Sequence, residues 1–416
     1  MTALALAAAP PQPWWKEPTR DQWTAFTAAW FGWVLDAFDF TVFLLVMPDI
    51  MKEFGVTATA TTLSIALTLL LRLAGGMAAG WAADRWSRKL PLLISIIWFA
   101  VCDGAIAFAP SFAVVLVLRT LFGFGMGAEW TAGATLAMEN WPTRSRGLAS
   151  GVLQGSWAIG YLLAALAAAY VVPRWGWRAL FIAAAIPALL SFPLMWFVKE
   201  PPRPAKTAKT ESSFLALIRT SGVLRRVLWG SGAMALGFGA YYGLTGLYST
   251  LLKGFGQDMA GISFHVALFN VGMMVGAISC GALAMKKGVA PAILIPTLAM
   301  ALCVPLYVGA VPGALALGAF LGGLFGAGYS GTTPLLLTSL FPEHLRAKGV
   351  GLVYHLGAVP AAFVPMTIAA LSEKAGLPLG TAIGLVVVIS VLGLAALVAF
   401  GPEEVRAKPP AGAAVH

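Results

Sequence analysis

The sequence predicts an all-α membrane protein of twelve transmembrane helices in two sets of six. Three observations carry that expectation. The first is composition: 59% of the 416 residues are hydrophobic and only 11% charged, with mean hydropathy +0.84, whereas a soluble domain carries about 25% charged residues. The second is recurrence, because apolar stretches near the roughly 20 residues needed to cross a bilayer repeat along almost the whole chain. The third is punctuation. The longest hydrophilic interruption, KEPPRPAKTAKTESS at 199–213, is basic and Pro-rich and falls after the sixth stretch.

In order, the spans read as 23–48, 60–83, 90–109, 113–138, 147–171, 178–198, 227–252, 260–284, 289–310, 313–338, 349–371 and 379–400. They define an N-terminal cytoplasmic segment 1–22, a first six-helix bundle 23–198, a cytoplasmic linker 199–226, a second bundle 227–400 and a cytoplasmic tail 401–416. Orientation follows from the 27 Lys and Arg residues: with the N-terminus inside, twenty fall on cytoplasmic ends and loops, five on the opposite face, and two, Arg72 and Arg119, within spans. That bias obeys the positive-inside rule. The net charge of +10 therefore reports topology, and nucleic-acid binding is excluded as its reading. No basic residue precedes TALALAAAP, so no cleaved signal peptide is expected, and Trp14, Trp15 and Lys16 read as an interfacial anchor. Cys102, Cys280 and Cys303 lie scattered within spans, as core packing rather than disulfides or metal ligands.

The two halves repeat. LFGFGMGAEWTAGATLAMENWPTRSRG (121–147) and LGGLFGAGYSGTTPLLLTSLFPEHLRAKG (321–349) each run from a Gly-rich helix through an aromatic-Pro pair to a basic turn ending in Gly. After span two, GWAADRWSRK (80–89) places Gly80 for close helix approach, Asp84 to meet a helix N-terminus or an arginine, and Arg85 and Arg88 on the basic face. It reads as a gating motif. GALAMKKG (281–288) has Met285 where that acid would stand, so the latch is expected on one side only. Gly75, Gly76 and Gly80, and Gly147, Gly151 and Gly155, are spaced for backbone-to-backbone helix packing.

Ionisable groups inside the spans are confined to the first half. They are Asp36, Asp39, Asp103 and Glu129 against Arg72 and Arg119, whereas spans seven to twelve offer only His265, His355, Asn270 and hydroxyls. Each charge at the bilayer centre costs roughly 2.5–3.5 kcal/mol. Four carboxylates against two guanidiniums is hard to sustain in low dielectric, so one or two acids are expected to carry a proton in some state. Asp36 and Asp39, three apart, share roughly one helix face, and Arg72 sits where it can meet them. Arg119 and Asp103 either form a structural pair or act in transport. The candidate proton-coupling residues are Asp36, Asp39 and Glu129. The candidate substrate-lining residues are Arg72, Arg119, Gln154, Trp157, Tyr161, Tyr241, Tyr242, Asn270, Tyr329, Tyr354 and His355.

GWAADRWSRK resembles the major facilitator signature G-x-x-x-D-R-x-G-R-R/K, and two six-helix halves are the plan of that superfamily. DAFDF (36–40), LLLRLAGG (69–76), ADRWSRK (83–89), GMGAEW (125–130), ENWPTRSRG (139–147) and VVPRWGWRALF (171–181) further resemble the sialate:proton symporter branch, which includes bacterial sialic acid transporters and fungal lactate permeases. The resemblance implies the major facilitator fold and a proton-coupled symporter, not an enzyme, that imports an organic anion by alternating access. It carries the family's membrane acids onto Asp36, Asp39 and Glu129 and its membrane arginines onto Arg72 and Arg119. The few polar groups of the second half favour a small, lactate-type carboxylate; the alternatives are a sialic or aromatic acid:proton symporter, an efflux antiporter, and a membrane sensor or enzyme. Span five, GLASGVLQGSWAIGYLLAALAAAY (147–170), contains no proline and so lacks the Gly-Pro motif of antiporters. The expected partners are a small organic anion, protons and the lipid bilayer, with no nucleic acid. No cofactor or metal is expected beyond the coupling proton, and the chain is expected as a monomer in the inner membrane.

Overall fold

Apolar side chains dominate the outer surface of the bundle, where Leu302 is 83% exposed, Leu228 64% and Val101 60%. Water does not tolerate such a surface at this scale, and lipid does. The computed structural model describes residues 16–85, 89–138, 141–142, 146–196, 222–341 and 343–406, and every regular element among them is helical. Eight of these helices are long and apolar enough to cross a membrane.

The first half is built of long, unbroken rods. Helix α1, Arg20–Phe54, opens on a capping box in which Gln22 N–H donates to the Thr19 hydroxyl and Thr19 N–H to the Gln22 side chain, and it closes on Gly55 in the left-handed region (φ 63°). Its 35 residues reach about 52 Å, well beyond the roughly 30 Å hydrocarbon core. Helices α2 (Ala58–Arg85), α3 (Lys89–Ile106) and α4 (Phe112–Met138) follow. Spans five and six form one helical run, α5 (Arg146–Trp196), interrupted at Gly176, whose φ of 77° no ordinary side chain adopts cheaply. The break falls in VVPRWGWRALF, between the two spans read from sequence.

The second half is jointed. Span seven divides into α6 (Val223–Thr245) and α7 (Tyr248–Gly254). Helices α8 (Met259–Lys287) and α9 (Val289–Tyr307) are continuous. Span ten runs through α10 (Leu315–Leu321), a π-turn (Gly322–Ala327), a 3₁₀ turn (Gly328–Thr332) and α11 (Thr333–Ser339). Span eleven breaks between α12 (Glu343–Ala361) and α13 (Val364–Glu373), and α14 (Leu379–Ala399) and the short α15 (Glu403–Arg406) complete the order. The sequence reading treated seven, ten and eleven as single helices. Periodicity alone carries no mark of a π-turn, because the apolar pattern continues through it.

Glycine contacts report the repeat. A Cβ on Gly75, Gly123 or Gly127 would strike the backbone of the facing helix in the α2/α4 pair, and one on Gly272, Gly323 or Gly328 would do the same between α8 and span ten. Spans two and four thus pack as spans eight and ten do. The expectation for Gly151 and Gly155 is corrected: nothing lies within 4 Å of a Cβ on Gly151, and only the Met274 side chain, at 4.0 Å, approaches one on Gly155. No facing backbone comes against α5 at either position.

At the end of the bundle where α1 finishes and α2 begins, here the distal end, Glu53 is a structural staple. It accepts from Trp177 Nε1 and Arg178 Nη2, both at 2.6 Å, while Arg178 Nη1 donates to the carbonyls of Ala107 and Ala109. Burial pushes the Glu53 carboxyl up, but the bonds from Trp177 and Arg178 outweigh it and hold the group below its ordinary value. A depressed folded value means stability that is present above the unfolded pKa and lost as pH falls through the folded one. The pair is 34% and 42% exposed, so solvent screens it and the effect is small. Glu53→Gln is therefore expected to unfold slightly earlier than the parent at neutral pH in a thermal scan. The difference closes as pH falls through the folded-state value, which lies below the ordinary glutamate one.

Candidate functional site

Helix α1 carries Asp36 and Asp39 into the centre of the first half, where both are fully buried and none of their four carboxylate oxygens has a hydrogen-bond partner among the described residues. Three residues turn a helix by about 300°, so the pair is offset by roughly 60° and each meets a different neighbour. Asp36 lies in the field of Arg72, Arg119 and Asp103, and Asp39 in that of Asp103, Asp36 and Arg119. Glu129, on α4, faces Asp36 and Arg72, and its oxygens are likewise without hydrogen-bond partners. The charges form one buried chain from Glu129 through Arg72 and Asp36 to Asp39, Arg119 and Asp103.

The two arginines occupy opposite situations. Arg119 Nη1 donates to Asp103 Oδ1 at 3.0 Å, with both side chains buried, and its guanidinium lies 4.2 Å from the Phe122 ring centre and 4.7 Å from that of Phe43. It is clamped between rings and a carboxylate and does not line a cavity. Arg72 has its guanidinium 5.6 Å from the Tyr354 ring centre, and its Nε and Nη2 lack hydrogen-bond partners. A Cβ on Gly127 would strike the Arg72 carbonyl, so the close α2/α4 approach fixes the backbone from which this side chain projects.

Arg72 opens onto a cavity of about 750 Å³, counting its mouth, between the two halves. Trp33, Gln154 and Trp157 join Arg72 from the first half. Phe238, Tyr241, Tyr242, Tyr329, Ser330, Thr332, Thr333 and Tyr354 face them from the second. Trp33 Nε1 and Ser330 Oγ, like Arg72 Nε and Nη2, are buried without hydrogen-bond partners. One wall ends in Trp130 stacked on Tyr354 (centroids 3.9 Å apart, 10° between planes), with His355 edge-on to both at 5.6 Å. Toward the distal end, Trp157 Nε1 donates to Tyr241 Oη at 2.5 Å across the halves. Beyond that bond lies a second, smaller pocket of about 310 Å³, lined by Thr41, Tyr161, Thr245, Tyr248, Ser249 and Asn270 among others.

A match to a family model decides what this architecture is: residues 29–262 fit that of the Major Facilitator Superfamily. The chain belongs to the Major Facilitator Superfamily. This is a superfamily of multi-pass membrane transporters rather than enzymes. The chain is 29% identical over 372 residues to the sialic acid transporter NanX of Escherichia coli, covering 88% of this chain and 91% of that one. It is 30% identical over 369 residues to the cis,cis-muconate transport protein of Acinetobacter baylyi, covering 86% and 89%. Among solved structures, that of a D-xylose-proton symporter superposes with a TM-score of 0.72 at 18% identity, over 89% of this chain and 97% of that one, which speaks to the fold.

Within that superfamily fold, the residues singled out from sequence separate into three places. Arg72, Gln154, Trp157, Tyr241, Tyr242, Tyr329 and Tyr354 line the main cavity. Tyr161 and Asn270 line the smaller pocket, and Arg119 and His355 line neither. Gly80, Asp84 and Arg85 fall on the last turns of α2, and Arg88, like most of the linker 199–226 and the tail, lies outside the described residues. Sequence reasoning missed Trp33 and Phe238 as wall residues, and Trp130 as the ring that stacks on the wall residue Tyr354. Trp33 stands one turn before Asp36 and Trp130 next to Glu129, so helical spacing from the acids would have found both. Thr332 and Thr333 were visible in GYSGTT but nothing in the sequence turned them inward.

Proposed function

We propose that the protein is a proton-coupled importer of an organic anion, and that its substrate is a flat aromatic or conjugated carboxylate. One observation carries this reading: unmatched donors of Arg72, Trp33 and Ser330 converge on a cavity walled by Trp33, Trp157, Phe238, Tyr241, Tyr242, Tyr329 and Tyr354. A guanidinium fork matches a carboxylate in two parallel bonds, and rings hold a planar body by offset or edge contacts. A lactate-sized acid, the first expectation from sequence, offers no planar body for these rings to hold. A sialic acid would need many more polar partners than Gln154, Ser330, Thr332 and Thr333 supply. The relative named for cis,cis-muconate, a conjugated dicarboxylate, points the same way.

In this mechanism Asp36 shares Arg72 with Glu129. A proton taken up at the acids, by way of Asp39 and Asp36, removes the excess negative charge around Arg72 and releases its fork to the substrate. The site, now closer to neutral, crosses between the two faces at lower cost. The distribution of basic residues supports cytoplasmic termini in the inner membrane, and the direction, import, rests on the symporter resemblance.

Purified protein in a thermal-stability assay against benzoate, a hydroxybenzoate, muconate, lactate and sialic acid tests the substrate class. Stabilisation by the planar acids and not by lactate is expected; stabilisation by lactate or sialic acid alone refutes the aromatic reading. For coupling, uptake of the best ligand into proteoliposomes should rise with an imposed inward proton gradient. Asp36→Asn and Asp39→Asn should each lose that gain, and if neither does, the proton role of the pair is wrong.

A further inference from the structure

Helix α2 begins with its backbone donors satisfied from two sources. The first N–H groups of any helix lack intrahelical acceptors. Thr57 Oγ1 accepts from Ala60 N–H at 3.2 Å, as an ordinary cap. The donors of Ala58 and Thr59 instead reach Glu373 Oε1, at 2.7 and 3.2 Å, and the Thr59 hydroxyl donates to Glu373 Oε2. Glu373 belongs to the other half. It is the last residue of α13, so it stands at the C-terminus of its own helix, where a negative charge is disfavoured, and at the N-terminus of α2, where it is favoured.

We infer that Glu373 is a reversible latch, capping α2 from the second half only while the distal end is closed. Two further bonds between α1 and α7 lie on the same seam: Ser249 Oγ donates to the Leu44 carbonyl at 2.5 Å, and Lys253 Nζ meets Asp49 at 2.6 Å. The Glu373 side chain is exposed, so when the seam parts, water can take over both the carboxylate and the freed Ala58 and Thr59 donors. A buried ion pair would resist that exchange. Because α2 also carries Arg72, fourteen residues or about 21 Å further along, the latch and the cavity cation ride on one rigid helix. The inference rests on alternation between two states, and neither the substrate nor the proton coupling proposed above enters it.

The test is a spin-label distance measurement on the purified full chain. Labels go on the exposed distal positions Lys52→Cys and Gly254→Cys, with Cys102, Cys280 and Cys303 replaced by serine. Glu373→Gln should raise the ratio of the long-distance to the short-distance population about fivefold, the effect of a typical lost cap. Lys374→Gln, a charge change beside the latch, should leave the distribution at the parent's. An unchanged distribution in Glu373→Gln, or an equal shift in Lys374→Gln, overturns the latch. Should Glu373→Gln fail to fold, Thr59→Ala takes its place under the same two criteria. No ligand or proton gradient is present, so a failed aromatic-acid panel leaves this result intact, and the reverse holds.

Discussion

Arg72→Gln is expected to weaken binding of a planar carboxylate about a hundredfold, and to abolish its uptake, while the protein still folds. The magnitude follows from the bond lost: truncating one partner of a buried, hydrogen-bonded charge pair costs about 2–5 kcal/mol, of which roughly 2.7 is a hundredfold in Kd. Folding should survive because glutamine keeps an amide donor beside Tyr354, and the buried acids Asp36 and Glu129 can stay neutral by holding a proton once the guanidinium is gone. Titration calorimetry on the purified variant reads the affinity, and a thermal scan without ligand reads the fold. Arg72→Lys separates geometry from charge. A lysine keeps the cation but not the planar fork, so it should recover only part of the affinity. A variant that binds as tightly as the parent would remove Arg72 from the site.

Asp103→Ala is expected to act in the opposite way, through stability. Arg119 is 1% exposed and has its ion pair with Asp103 at 3.0 Å, so removing the carboxylate leaves a buried guanidinium whose remaining contacts are mainly ring faces. Breaking a buried pair from one side costs roughly 3–5 kcal/mol, whereas replacing both partners by apolar groups is often near neutral. The double variant Asp103→Ala/Arg119→Leu should therefore recover most of the loss, and the cycle isolates the pair energy. Thermal unfolding in one detergent measures all four proteins. If Asp103→Ala keeps the parent's stability and loses only transport, the pair is functional rather than structural.

These two arginines show what the sequence carried and what it did not. Their depth within spans, and the confinement of every intramembrane charge to one half, were legible from composition and spacing because the bilayer penalises charge strongly. Which arginine is clamped depends on α3 meeting α4 so that Asp103 faces Arg119, and no one-dimensional pattern records that contact. The aspartate pair is similar: residues 36 and 39 look alike at helical spacing, yet a 60° offset gives one to Arg72 and Glu129 and the other to Arg119 and Asp103. The limits of span four (113–138 from sequence, Phe112–Met138 in the structure) and span twelve (379–400 against Leu379–Ala399) were legible because they follow hydropathy. The joints in spans seven, ten and eleven escaped notice because hydropathy does not change across them. Trp130 on Tyr354, and Glu373 on α2, join residues more than 200 positions apart, where only tertiary structure brings partners together.

The π-turn and the breaks near Gly246 and Ala362 all fall on the half that, among the described residues, holds no buried ion. Stiffness and charge therefore share one side of the molecule, and compliance belongs to the other. A rod-like half can keep its carboxylates and guanidiniums at fixed separations, so the electrostatics of the site would change through protonation and substrate rather than through movement of the charges. The hinged half can change the shape of the aromatic wall without moving a single buried charge. The transporter is thus built less like two matched rockers than like an anvil and a flexible jaw.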